Sequence, residues 1–599
     1  MNTTTNIQDV FRHLREQFII VGLTGAVGSG CTTSADFLTQ QLTDEDINAT
    51  LYCIGQKDEF DTEYRRIQRV KQYYKNRGWE QFINIRVSDI LLLVLIASIK
   101  KNSFETPIKK IIKDYSGDET LREILKDKQK IKVEKVYKKF YKISKKYKKL
   151  IRKYNKKKKI KIIINEISKL REKYIDRKKI IYTKIFQSIG ENIRKNGSVF
   201  CDGESQKLYK MYKMKKDEFE NLPVFLIPEL IRRTIKIFRK ENKDKKGFFV
   251  IDALRNIYEI EFFRNRYQSF YLFSIQASES IRENRILKDF GFTPEGFKQI
   301  KDFETKDSDI ASQAINSCIG KGDVFINNVD PSKINLKLQL LKYVALIRKP
   351  GLFTPTDDER YMQVAFTARY NSGCISRQVG AVVVGNDGYI RGFGWNDVPE
   401  EQVSCLYRTP SQLLENKNNL IFSQYERSEE FFEFVKEKIS KFEIEKDHPF
   451  CFKDLRNKIE FQKKVEDIDK ELNSICEKKK EKILTKLKMK NPTRERALHA
   501  EENAFLQITK SGGQTVVDGT LYSTDSPCQL CAKKAMQLKI SRVVYIDAYP
   551  DISMQHTLQA GKEEKQPKVE MFQGAIGSAY FKLYIPIIGI KDEIKFILE

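Results

Sequence analysis

The amino-acid sequence predicts an α/β chain built of two domains, and three observations carry that expectation. An apolar, β-branched run, Phe18 to Leu23, leads into Gly25-Ala26-Val27-Gly28-Ser29-Gly30-Cys31-Thr32 and then a helical Thr33 to Leu42. That is the strand, glycine-rich turn and helix order that opens a phosphate-binding α/β domain. Two later runs, Gly247 to Asp252 and Tyr271 to Ile275, read as short buried strands separated by helical pattern, which argues for a parallel sheet. Finally, 599 residues exceed what one ordinary core organises, and a second alternation of strands and helices follows Arg348-Lys349-Pro350-Gly351. The expected domains are therefore residues 1–349 and 350–599.

In the first domain the turn resembles the P-loop pattern, with one departure. That pattern needs a lysine directly after its last glycine to reach the β and γ phosphates, and position 31 is cysteine. The main-chain N–H groups of Gly25 to Thr32, at a helix N-terminus, still suit phosphate. The expectation is nucleotide binding, with Gly25, Ala26, Val27, Gly28, Ser29, Gly30, Cys31, Thr32 and Asp252 as the site. There Thr32 and the strand-end carboxylate of Asp252 would hold Mg²⁺ beside a nucleoside triphosphate. A kinase-like domain kept only as a scaffold is the competing reading. Arg255 reads equally as a phosphate contact or an ion-pair residue.

Between the first strand and Gly247 lies a basic insertion at about 100–185. Residues 121–180 hold 26 Lys and Arg against 6 Asp and Glu, a net of +20 out of the chain's +28. Val133, Val136, Phe140, Ile143, Tyr147, Leu150 and Tyr154 share one helical stripe, and Ile163, Ile167, Leu170 and Tyr174 a second. The expectation is a two-helix hairpin, apolar inside and lysine-covered outside.

The second domain reads as helix from about Asp357 to Arg369, strand Val379 to Val384, a turn at Gly385-Asn386-Asp387-Gly388, and strand Tyr389 to Phe393. A charged helical insertion follows at about 410–492. Next come a helix from His499, strand Thr520 to Ser523, a helix from Cys528 and strand Val543 to Ile546. The chemistry sits in His499-Ala500-Glu501 and Pro527-Cys528-Gln529-Leu530-Cys531. One imidazole and two thiolates are the three ligands that leave a catalytic Zn²⁺ its fourth position. Two cysteines three apart at a helix start share a face, and the helix N-terminus favours their thiolates. Glu501, two residues from the histidine, is placed to move protons without binding the metal. Taken alone, the C-x-x-C also fits a structural zinc half-site or a redox pair. His13, His448 and His556 have no such company. Cys374 and Cys405 flank the loop at Gly394 to Pro399; no spacing motif supports a second, structural zinc there, and free thiols are the expectation.

Composition limits the rest. The longest apolar run, Ile90 to Ala97, is far shorter than the roughly 20 residues that cross a bilayer, and reads as a buried helix or strand. No membrane partner is expected. Ten scattered cysteines and a polar start from Met1 to Gln17 fit a reducing cytoplasm.

The H-x-E and P-C-x-x-C elements together match the signature of zinc deaminases. With Ala368 to Val382 and Gly394-Trp395-Asn396-Asp397-Val398-Pro399, the second domain resembles the deoxycytidylate deaminases. That resemblance implies a cytidine deaminase-like α/β/α sandwich, with Asn396 contacting the nucleoside, and a homo-oligomer. A P-loop, nucleotide-kinase-like domain followed by this one, with Val250 to Asn256 and Phe572 to Gly577, resembles the bacterial anti-phage dCTP deaminases. That family implies deamination of dCTP and dCMP, depleting a phage's nucleotide pool.

Two further readings stand beside it. In one, the lysine-rich segment contacts RNA or single-stranded DNA and the zinc pocket receives an extruded cytosine, or the RNA is an inhibitor. In the other, the chain is a nucleotide sensor with a structural zinc; the intact Glu501 speaks against that.

Overall fold

The structure is a computed structural model, which describes residues 17–52, 58–98, 168–169, 179–199, 207–212, 214–215, 219, 221–241, 247–290, 292–305, 310–442, 448–454, 457, 496–548 and 553–598. The two lysine-rich stripes lie outside the described residues, as does the insertion from 458 to 495. The chain divides into two compact units, Met1–Thr356 with Gln573–Glu599, and Asp357–Phe572. The expected boundary at 349–350 thus falls at 356–357. The expected second domain also loses its last segment, which returns to the first unit.

The first unit is organised on a sheet of order β11-β5-β4-β1-β3-β2. Its strands are β1 (Phe18–Thr24), β2 (Ile83–Arg86), β3 (Gly247–Asp252), β4 (Phe270–Gln276), β5 (Val324–Asn327) and β11 (Gly574–Ala575). The first five run parallel, with β1 between β3 and β4; β11 pairs antiparallel to β5. Strands β1, β3 and β4 are buried almost throughout, as continuous apolar strands covered on both faces must be. One face packs under α3 (Val87–Ser98) and α4 (Leu226–Glu241), through Leu91, Val94, Leu230 and Ile231. The other lies under α1 (Cys31–Leu38), α2 (Thr62–Arg77) and α8 (Ile334–Arg348), through Ala35, Tyr74 and Leu341. The run Ile90 to Ala97 is therefore helix. No described helix is long and apolar enough to cross a membrane.

The glycine-rich turn leaves the carboxyl end of β1, beside the strands where the order reverses, which is where open α/β sheets gather ligands. Gly28 (φ 86°) and Gly30 (φ 114°) adopt left-handed backbone. A Cβ at Gly30 would run into the amide of Asn328, so close approach as well as φ demands glycine there. Three more helices flank this end: α5 (Ile257–Arg266), α6 (Glu279–Phe290) and α7 (Pro294–Thr305).

The second unit has a five-stranded sheet of order β10-β9-β8-β6-β7. It comprises β6 (Gly380–Val384), β7 (Ile390–Trp395), β8 (Thr520–Asp525), β9 (Arg542–Asp547) and β10 (Lys568–Met571). Strand β6 is antiparallel to β7 and β8, whereas β8, β9 and β10 are parallel. Ala381, Val383, Leu521 and Val543 face one way and pack with Ala500, Ala504 and Phe505 of α11 (Ala500–Lys510) and Ala535 of α12 (Gln529–Gln537). Tyr522, one residue out of phase with Leu521, meets Tyr361 and Asp358 of α9 (Asp357–Ala368) on the opposite face. Helices on both faces match the expected sandwich.

The described part of the second insertion has its own core. Leu413, Phe422, Phe452, and Phe431 and Val435 of α10 (Glu429–Phe442) are buried together. Arg408 lies inside this cluster, its guanidinium 4.8 Å from the Phe452 ring and 2.8 Å from Glu426.

Candidate active site

Sequence places His499 and Cys528 just ahead of two helices, and the fold makes each the N-cap of its helix, α11 and α12. Helix α11 lies so close on β7 that a Cβ at Gly394 would strike main-chain atoms of Ala500 and Ala504. This fixes the start of α11 against the sheet. The Glu502 carboxylate accepts from the His499 N–H and is paired with Lys534 of α12, so the two helix starts are tied together. Ahead of Cys528, the Ser526 N–H donates to Asp547 O at 2.8 Å and Ser553 Oγ to Pro527 O at 2.7 Å. The cysteine turn is thereby pinned on both sides.

The result is a cluster in which one donor atom each from His499, Cys528 and Cys531 lies within 4.8 Å of the others. His499 Nδ1 faces both sulfurs, 3.3 Å from Cys528 Sγ and 3.5 Å from Cys531 Sγ. Among the described residues it is the one group of this kind. The hydrogen bond from Cys531, with help from His499, holds the Cys528 thiol down to about 4 against the opposing effect of burial. The same hydrogen bond and burial push Cys531 up. One nitrogen and two sulfurs, two of the three side chains buried, form a borderline-soft donor set that suits Zn²⁺.

Glu501 sits in the first turn of α11 and is 4 % exposed. Burial raises its carboxyl to about 7. Ser523 of β8, fully buried, donates to its Oε1 at 3.2 Å.

Asn396 lies in the loop after β7, but its amide is taken up locally. Oδ1 accepts from the Val379 N–H at 2.7 Å and Nδ2 donates to Arg377 O at 2.8 Å. The structure therefore shows it bracing the 377–379 turn. Its neighbour Asp397, which sequence reasoning passed over, organises more of the surroundings. Its carboxylate accepts from Gly373 N, Val398 N and Ser404 Oγ, and its carbonyl from the N–H of Leu498, next to His499. An acidic residue after Asn396 and before Pro399 was the available signal, being a turn-former able to satisfy several N–H groups. Also unforeseen is the set at the ends of β8 and β9. Arg377 bridges Asp525 at 2.5 Å and Asp547 at 2.7 Å, and burial beside Asp525 lifts Asp547 to about 6 despite the arginine.

Cys374 and Cys405 are free and partly buried, and no second metal group includes them among the described residues. Cys405 Sγ instead accepts from Arg408 Nη2 at 3.2 Å.

Thr32 Oγ1 donates to Asp252 Oδ2 at 3.2 Å. Cys31 is buried, and burial with the nearby Asp252 charge pushes its thiol up to about 12. Arg255 is an ion-pair residue, and its partner is Glu304.

Residues 471–547 match the family described as the cytidine and deoxycytidylate deaminase zinc-binding region. Among solved structures, the chain is similar to dCMP deaminase from the cyanophage S-TIM5 in its apo form. Identity is 20 %, coverage 37 % of this chain and 100 % of that one, and the TM-score 0.19. The same cyanophage enzyme in complex with dCMP and dUMP matches at 20 % identity over 37 % of this chain and 99 % of that one, with a TM-score of 0.20. No curated protein matches.

Proposed function

We propose that the chain is a zinc-dependent hydrolase that deaminates free deoxycytidine nucleotides, dCTP and dCMP, to their uracil forms with release of ammonia. The observation that carries this is the buried Glu501 beside the His499, Cys528 and Cys531 cluster, inside a stretch matching a deaminase zinc-binding region. A structural zinc has no use for a desolvated carboxylate two residues from a ligand, whereas hydrolytic deamination must carry protons from water to the ring and the departing amine.

His499, Cys528 and Cys531 would hold the zinc, which when bound supplies Lewis acidity and makes hydroxide available near neutral pH. Glu501 takes a proton from water on a carboxylate oxygen as the water oxygen bonds to the amine-bearing ring carbon and hands it to the ring nitrogen, then takes the proton of the added hydroxyl and delivers it to the amine, which leaves as ammonia as that carbon becomes a carbonyl. Ser523 keeps Oε1 oriented during these transfers. Asp397 and Asn396 hold the loop beside the histidine, which is where a nucleoside would be gripped.

We read the Gly25–Thr32 loop as a nucleotide-binding site that controls the enzyme. The pairing of Thr32 with Asp252 supports the reading, since a hydroxyl and a carboxylate at that place suit Mg²⁺ and a triphosphate. A cytoplasmic, homo-oligomeric enzyme that drains dCTP against phage is the biological setting we propose with it.

Purified full-length protein incubated with dCTP, dCMP, cytidine and a short cytosine-containing oligonucleotide, read by chromatography, tests the assignment. Turnover of dCTP or dCMP is expected. Turnover of the oligonucleotide alone would replace it with a polynucleotide deaminase, for which the lysine-rich segment would supply phosphate contacts.

A further inference from the structure

The Gly25–Thr32 loop lacks the lysine that its pattern calls for, yet a cation and an anion both sit on it. Cys31 occupies the lysine position and is buried, its Sγ 3.7 Å from Ser29 Oγ. The cation comes from beyond β3. Arg255 lies close enough to act electrostatically on Cys31 and Asp252, and it pairs with Glu304. Just before Arg255, Ala253 takes φ 71°, a left-handed conformation that is disfavoured for a non-glycine residue, while Leu254 N–H is held by Leu23 O at 2.8 Å. Such backbone persists only where its surroundings impose it.

The anion is Glu304, in the last turn of α7 and 2 % exposed. Both its carboxylate oxygens accept from the Val27 N–H, at 3.0 and 3.2 Å. Two arginines of α6 hold the loop's carbonyls: Arg282 Nη1 donates to Val27 O at 3.3 Å, and Arg285 Nη1 to Gly28 O at 3.2 Å. A carboxylate thus rests on a loop N–H, among arginines, where the chemistry of such loops assigns a phosphate oxygen. Around it, Thr24 Oγ1, Asp252 Oδ1 and Asn328 Oδ1 are buried without hydrogen-bond partners among the described residues. Buried polar atoms left this way are costly, and three beside one loop point to a ligand that completes them.

We propose that Glu304 is a built-in anion seated in the loop's phosphate position, that Arg255 replaces the missing lysine, and that a nucleoside triphosphate binds by displacing Glu304 and taking over Arg255. This rests on the nucleotide-site reading of the loop given above. The exchange leaves neither the Val27 N–H nor the Arg255 guanidinium without an acceptor, because phosphate oxygens take both. It also means that apparent affinity is lowered by the fraction of molecules in which Glu304 is seated. Glu304 thereby sets the nucleotide concentration at which the loop fills.

Titration of the full-length protein with MgATP, and separately with inorganic pyrophosphate, tests this in the wild type, Glu304→Gln and Glu304→Gln/Arg255→Met. Glu304→Gln should bind MgATP about tenfold more tightly than wild type, and adding Arg255→Met should reverse at least about tenfold of the affinity. In the wild type, MgATP should slow hydrogen exchange at 25–32 and speed it at 294–305 as α7 is released. If wild type binds MgATP but Glu304→Gln binds no tighter and exchange at 294–305 does not rise, Glu304 is not displaced; the proposal is then wrong while the nucleotide reading stands. If no form binds MgATP or pyrophosphate, the nucleotide reading falls and the displacement with it. Should either variant fail to fold, the exchange measurement on wild type decides alone.

Discussion

Ser523 on β8 donates its hydroxyl proton to Glu501 on α11 at 3.2 Å, both side chains buried, so the carboxylate two residues from His499 is held by the sheet beneath it. Ser523→Ala should leave the fold and the zinc content unchanged and lower kcat for the proposed deoxycytidine nucleotide substrate by roughly fivefold, as the loss of about 1 kcal/mol of orienting hydrogen bond implies. Steady-state kinetics with a KM that stays put would separate this from a binding defect.

Glu501→Gln should reduce ammonia release by roughly 10²- to 10⁴-fold, because it removes the proposed proton carrier and keeps the shape. Zinc measured by atomic absorption should remain near one per chain. Cys531→Ser is the contrasting variant, expected to lose metal and activity together. A Glu501→Gln protein that lost its zinc would show that the carboxylate is itself a ligand.

Asp358 on α9 accepts two hydrogen bonds from Arg542 at 2.7 Å and one from the Tyr522 hydroxyl at 2.6 Å. Burial alone would raise its carboxyl, but these bonds and the arginine charge outweigh it and hold the group below the usual carboxylate range. A depressed folded pKa means the stabilisation is fully present above the unfolded value of about 3.9 and is lost as pH falls through the folded one. Asp358→Asn should therefore cost about 1–2 kcal/mol at pH 7 and flatten the acid limb of a Tm-against-pH curve. An unchanged acid limb would remove Asp358 from the account.

Arg408 and Glu426 form an ion pair inside the aromatic core of the second insertion, with side chains 1 % and 10 % exposed. Arg408→Met should destabilise the protein by about 1–3 kcal/mol in urea unfolding, because it takes from Glu426 the closer of its two arginines, leaving Arg496 at 3.4 Å and the Ser423 N–H at 2.7 Å. Arg408→Met with Glu426→Leu should recover most of that loss. Equal losses in both would mean that packing, not charge, is at stake.

Cys31, buried with its thiol pushed up to about 12, should resist iodoacetamide at pH 8, where it stays protonated. Among the described cysteines, Cys374 and Cys405, partly exposed, should label before it in peptide-resolved mass spectrometry. Early labelling of Cys31 would mean that the loop is open in solution.

The metal-binding cluster was legible in the sequence because its spacings are local. A histidine and a glutamate two apart, and two cysteines three apart, each sit within one helical turn, so short-range geometry nearly decides their direction. The strands from Phe18, Gly247 and Phe270 were legible for a similar reason, since burial on both faces leaves an unbroken apolar run. Asp397 was not, because three of its four links reach loops or a helix start from elsewhere in the chain. Nor was the return of Gly574–Ala575 to the first sheet, since two small residues carry no periodicity and pairing with β5 spans some 250 positions.

By itself the sequence determined the α/β class, the glycine-rich turn with cysteine at position 31, and the set of donors able to take zinc, all properties of residues near one another along the chain. Only the tertiary structure decided that Glu304 sits on the Val27 N–H, that Arg255 stands beside Cys31, and that Asn396 spends its amide on the main chain of Arg377 and Val379. Those partners are 277, 224 and at most 19 positions apart, and which donor meets which acceptor at such separations follows from sheet order and helix packing, to which no local pattern points.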